Sequence, residues 1–119
     1  MATLGELERS VMNALWNSVD GMTAADLRTA LADRDLALTT VHTVLTRLEK
    51  KGFARRDRSE RPHRYLALST REEHVAELMN EVLNQAPDRQ AVLARFLGTV
   101  SDSDTAFLSR LLQRRGADT

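Results

Sequence analysis

Cysteine is absent from the 119 residues, so neither a disulfide framework nor a thiolate metal site can form, and a reducing compartment is the expected setting. Long apolar runs are missing as well. None approaches the roughly 18 residues needed to cross a bilayer, and the N-terminus lacks the basic-then-apolar order of a signal peptide. The expectation is a cytoplasmic protein. Net charge is missing too: 17 Lys and Arg are matched by 17 Asp and Glu, so overall charge points to no partner. No glycine-rich phosphate loop, nucleophile elbow or pair of catalytic carboxylates appears. The three histidines, His42, His63 and His74, fall on different predicted elements with no carboxylate or cysteine at ligand spacing. These absences predict no enzyme, no cofactor and no metal site.

What is present is organised around residues 39–52, TTVHTVLTRLEKKG. On a helix, Val41, Val44, Leu45 and Leu48 stand at i, i+3, i+4 and i+7 and make one apolar stripe that faces a core. The other face carries Thr39, Thr40, His42, Thr43, Thr46, Arg47 and Lys50, with Glu49 the only acid. An ordinary solvated face mixes Glu and Lys at i, i+4. Threonines followed by Arg and Lys suit base edges and phosphates instead, so this helix reads as one that enters a DNA groove. Charge is distributed accordingly. Residues 39–65 hold eight cations (Arg47, Lys50, Lys51, Arg55, Arg56, Arg58, Arg61, Arg64) against three acids (Glu49, Asp57, Glu60), a local +5.

The flanking segments supply a scaffold. The length suits one domain, or one domain with an appendage. Leu4, Leu7, Val11, Met12, Leu15 and Trp16 share a face of a first helix over 4–17, with Glu6, Glu8 and Arg9 off that face. Asp20-Gly21 signals a turn, and Thr23 is placed to cap a second helix from Ala24 to about Ala32, with Ala24, Leu27, Ala30 and Leu31 inward. A short turn over 33–38 then leads to the central helix, with Thr39 as its expected cap and Gly52 as its stop. Residues 53–57 and 63–68 read as two strands joined by a basic tip at 58–62. A hairpin of two strands must lean on the helices before it. Three helices and a hairpin make a winged helix, whose wing arginines Arg58, Arg61 and Arg64, with Arg55 and Arg56, could reach the DNA backbone or minor groove beside the central helix.

Three further helices follow. Thr70 and Glu73 have capping-box spacing, Pro87 opens the next helix, and Ser101 caps the last. Residues 71–119 hold fourteen Val, Leu, Met and Phe residues. A unit that small struggles to bury such a surface by itself. Val75, Leu78, Met79, Val82, Leu83, Val92, Phe96, Leu97, Phe107, Leu108, Leu111 and Leu112 are therefore expected to pair two copies. The alternative has the helices folding back on the chain's own winged helix. The expected fold is thus mostly α with a small β-hairpin, a winged-helix DNA-binding domain over 1–70 and a three-helix dimerisation domain over 71–119.

Three stretches bear a family resemblance: Leu7-Glu8-Arg9-Ser10-Val11-Met12-Asn13-Ala14-Leu15-Trp16, the central run from Thr40 to Phe53 of form TVxTxLTRLxKKGF, and Arg64-Tyr65. By these, nearly the whole chain resembles the BlaI/MecI/CopY family of penicillinase-type repressors. The resemblance implies a homodimeric winged-helix repressor, in an antibiotic-resistance setting, that binds double-stranded DNA at a palindromic operator with TACA-type half-sites. Thr40, His42, Thr43, Thr46 and Arg47 match its third-helix positions, and Lys50 and Lys51 would add phosphate contacts. In antibiotic-responsive members a sensor-activated protease cuts an Asn-Phe bond, whose counterpart here is Arg95-Phe96. The Phe is kept and the Asn is not. The cysteine cluster of the copper-responsive branch is absent. Two other readings stay open: a winged-helix protein-interaction module, and a MarR-like small-molecule-sensing regulator with a pocket at a dimer junction.

Overall fold

A computed structural model of the chain describes residues 3–117. Its backbone contacts divide the chain into two compact units, Met1–Leu78 and Met79–Thr119. The first contains α1 (Glu6–Trp16), α2 (Ala24–Ala30), α3 (Leu38–Lys51), the strands β1 (Ala54–Asp57) and β2 (Arg64–Ala67), and the first half of α4 (Arg71–Asn84). The second contains the rest of α4, α5 (Arg89–Leu97) and α6 (Asp102–Ala117).

In the first unit the apolar stripes meet in one core. Val11, Met12 and Leu15 of α1, Leu27 of α2, and Val41, Val44, Leu45 and Leu48 of α3 are all buried, with Leu4, Ala24, Ala54 and Tyr65 completing the cluster. Leu7 and Trp16 pack against it half-buried. α2 starts on a reciprocal cap: Asp26 N–H donates to Thr23 Oγ1 at 3.0 Å, and Thr23 N–H donates to Asp26 Oδ2 at 3.1 Å. Hydrogen bonding from Thr23, its backbone N–H first and its side chain second, holds the Asp26 carboxyl below its usual range. The helix is shorter than the sequence predicts. It ends at Ala30, and a 3-10 turn over Ala32–Arg34 with a left-handed Asp35 (φ 50°) leads into α3. Ala30 consequently faces solvent instead of the core, and Leu31 is half-buried.

The hairpin is antiparallel, pairing Ala54 with Ala67, Arg55 with Leu66, Arg56 with Tyr65 and Asp57 with Arg64. It does not lean on the helices by side chains alone. Met22, between α1 and α2, bridges Tyr65 through two backbone bonds of 3.0 and 2.8 Å. The turn before Met22 needs Gly21, whose φ is +82° and whose missing Cβ would lie 2.9 Å from the Tyr65 carbonyl oxygen.

The start of α4 belongs to the same unit. Glu73 N–H donates to Thr70 Oγ1 at 3.1 Å, the expected cap. His74 is buried beside two aromatic rings, with centroids 5.2 Å from Trp16 and 5.4 Å from Phe53. In the second unit, Ala91 N–H donates to Asp88 Oδ1 and Asp104 N–H to Ser101 Oγ, each at 3.1 Å, which caps α5 and α6. Arg89 donates to the side chains of Asn84 and Asn80, joining α5 to α4.

Candidate nucleic-acid interface

α3 begins without a side-chain cap. Its N-cap is Ala37, extended at φ −71° and ψ 147°, so Thr39 lies inside the first turn and does not cap it. Instead the Thr39 carbonyl accepts a bond from Thr43 Oγ1 at 2.9 Å, and the His42 carbonyl accepts one from Thr46 Oγ1 at 3.0 Å. Gly52, left-handed at φ +82°, stops the helix as expected.

With Val41, Val44, Leu45 and Leu48 buried, Thr39, His42, Thr43, Thr46, Arg47 and Lys50 are exposed and Thr40 is half-buried. Thr39, Thr43, Thr46 and Lys50 follow one another at i, i+4, i+7 and i+11, the row opposite the core. Arg47 and Lys50 form no ion pair or hydrogen bond among the described residues. His42 lies on the flank nearer the hairpin, lining a cleft of about 220 Å³ with Leu38, Arg56, Pro62, His63 and Tyr65.

Lys51 is turned to another task. It stands three residues after Leu48, at the edge of the apolar stripe, and its ammonium donates to Glu8 Oε1 at 2.8 Å and to the Thr3 carbonyl at 3.1 Å. Glu8, placed off the core face by the sequence pattern, is buried. The same oxygen also accepts from Gly5 N–H at 2.7 Å. Burial pushes the Glu8 carboxyl up, but the Lys51 and Gly5 bonds and the charges of Lys51 and Arg47 outweigh it and hold the pKa below the ordinary 4.5.

The hairpin's arginines also divide. Arg55, Arg58 and Arg61 are exposed and make no ion pair or hydrogen bond among the described residues. Arg56 is engaged: its Nη2 and Nε lie 2.8 and 3.2 Å from Glu49 Oε1, and its guanidinium sits 5.3 Å over the Tyr65 ring. The one acid of α3 is thus neutralised, and the hairpin is tied to the helix. Arg64 is half-buried and donates to the Gly21 carbonyl at 3.2 Å. At the tip, Ser59 N–H donates to Asp57 Oδ1 at 2.9 Å, and hydrogen bonding to Ser59 holds the Asp57 carboxyl below its usual range. Burial pushes the Tyr65 hydroxyl up.

Beyond the first unit's core, Val75, Met79, Val82, Val92, Phe96, Leu97, Phe107, Leu108, Leu111 and Leu112 are exposed, and Leu78 and Leu83 are half-buried. Arg95 and Phe96 are neighbours in the last turns of α5, both exposed. Sequence reasoning missed Glu8, Met22 and His74. The only trace of the Glu49–Arg56 tie was that Glu49 is the lone acid of its helix.

Comparison with solved structures supports the fold. The chain is similar to a MarR family protein from Bacillus stearothermophilus, with a TM-score of 0.53 and 21% identity over 98% of this chain and 76% of that one. It is also similar to a mutant form of MepR from S. aureus, with a TM-score of 0.50 and 17% identity over 97% of this chain and 80% of that one. These likenesses establish a winged helix with appended helices. At the level of sequence, the chain is 44% identical over 116 residues to the transcriptional regulator BlaI of Mycobacterium tuberculosis, from strains CDC 1551 and H37Rv alike, covering 94% of this chain and 84% of each relative. The pattern of the family described as penicillinase repressor matches residues 4–114. The motifs in α1, α3 and β2 that carry the resemblance all lie inside that match, and the chain belongs to the penicillinase repressor family of transcriptional regulators.

Proposed function

We propose that the chain is a homodimeric repressor that binds a palindromic operator, the outer face of α3 reading base edges and Lys50, Arg55, Arg58 and Arg61 holding phosphates. The observation that carries this is the row Thr39, Thr43, Thr46 and Lys50, flanked by Arg47: exposed, with no acid among the described residues paired to its cations, on a helix whose other side is locked in the core. DNA binding is assigned to residues 1–70 and pairing of two copies to 71–119, through the apolar side chains of α4, α5 and α6. Family membership favours this over a protein-interaction module. Lys51 and Arg64 are left to their bonds with Glu8 and Gly21 as supports for the surface.

Arg47 supplies the test, because a guanidinium on the flank of a groove-facing helix suits bidentate contact with guanine. Arg47→Ala should weaken specific binding by about 1 to 3 kcal/mol and relax sequence preference while hardly changing the melting temperature. A gel-shift titration on a duplex selected by the native chain from a random pool reads this. Unchanged affinity would remove Arg47 from the interface.

A further inference from the structure

Thr43 and Thr46 are exposed on the row that faces away from the core, and each has already placed its hydroxyl hydrogen. Thr43 donates to the Thr39 carbonyl at 2.9 Å and Thr46 to the His42 carbonyl at 3.0 Å. A hydroxyl has one hydrogen and two acceptor lone pairs. Donating elsewhere would exchange one bond for another with little net gain, whereas accepting adds a bond at no loss. What these side chains can offer a partner is therefore an acceptor oxygen and a γ-methyl.

Resting on the DNA-binding reading of α3, we propose that Thr43 and Thr46 select A·T pairs, accepting from the adenine N6 amino group and packing their methyls on the thymine C5 methyl. In the major groove an A·T pair carries both complements, an amino donor and a methyl. A G·C pair has an amino donor on cytosine and no methyl, and guanine's O6 and N7 want donors, which these threonines do not have to spare. Lys50 and Arg47, which bring only donors, are left for phosphate and guanine.

The test begins with a duplex that the native chain selects from a random-sequence pool. Positions facing Thr43 and Thr46 should emerge as A·T. Replacing thymine there by uracil, which removes only the methyl, should weaken binding by about four-fold per methyl, the worth of one buried carbon. Thr43→Ser keeps the oxygen and loses the methyl, so it should bind the thymine duplex more weakly and no longer tell thymine from uracil. Thr43→Val keeps a methyl and loses the acceptor. It should still tell thymine from uracil but no longer distinguish adenine from purine, which lacks the amino group. Thr46→Ser and Thr46→Val should behave alike at their own base pair.

Equal affinity of the native chain for thymine and uracil duplexes would overturn the proposal, as would selection of guanine opposite these residues. A pool in which no sequence is enriched would instead strike at the DNA-binding reading itself.

Discussion

Gly21 and Gly52 share a left-handed backbone, with φ +82° at both, and differ only in what surrounds them. An added Cβ at Gly52 would meet nothing within 4 Å, so Gly52→Ala should cost only the backbone strain, about 1 kcal/mol. At Gly21 the same atom would fall 2.9 Å from Tyr65 O and 2.9 Å from Leu66 Cγ. Gly21→Ala should therefore cost clearly more, about 3 kcal/mol, and loosen the Met22–Tyr65 bridge. Denaturant melts of the two variants check the order, and equal losses would contradict the close approach. Glu8 and Lys51 make a second residue-scale case. A carboxyl whose pKa is lowered on folding adds stability that is complete above its ordinary 4.5 and is lost as pH falls through the lowered value. Lys51→Ala leaves that buried acid with Gly5 N–H alone, and should cost about 1 to 3 kcal/mol at neutral pH. It should also move acid unfolding to higher pH, which melts from about pH 3 to pH 7 would show. Neither Glu8's burial nor its partner was legible in sequence: the two are 43 residues apart, and a helical wheel sees only one helix at a time.

At the scale of elements, α3 shows what periodicity can and cannot tell. The stripe Val41, Val44, Leu45, Leu48 is buried as its spacing predicts, because nothing but a core satisfies four aliphatics on one face. The contrast between its faces is testable. Val44→Asp puts an unpaired carboxylate where Val44 is 4% exposed, and should cost at least about 3 kcal/mol, a large share of a marginally stable domain's total. A denaturant melt followed by circular dichroism should show that loss, and an unchanged midpoint would contradict the burial. The ends of elements were less legible. Thr39 has the composition of a cap, yet Ala37 takes the extended geometry and the helix begins before Thr39, since the start is set by the 3-10 turn and left-handed Asp35 upstream. α2 stops at Ala30 for the same reason. The hairpin was legible from its alternation and basic tip. Its third backbone partner, Met22, was not, since a single bridge has no period to detect. The division of labour among the arginines was equally hidden, because Arg55 and Arg56 are neighbours in sequence and only pairing places Arg56 opposite Tyr65.

For the whole molecule, two kinds of surface stay open among the described residues: the hydroxyl and cationic row of α3 with the hairpin tip, and the apolar side chains of α4–α6. Phe96, Leu97, Phe107 and Leu112 are each more than half exposed, a state that single large hydrophobics tolerate but a run of them does not. A second copy would cover them and bring a second α3 to the opposite half of a palindrome. Lys50, Arg55, Arg58 and Arg61, unpaired among the described residues, would then act in duplicate, and each phosphate neutralised releases counterions. The most direct measurement is a fluorescence-anisotropy titration of the selected palindromic duplex at ionic strengths from about 50 to about 200 mM. Two chains should bind per duplex, with affinity falling by about a thousand-fold or more over that range; one chain per duplex, or an affinity that salt hardly touches, would contradict the account.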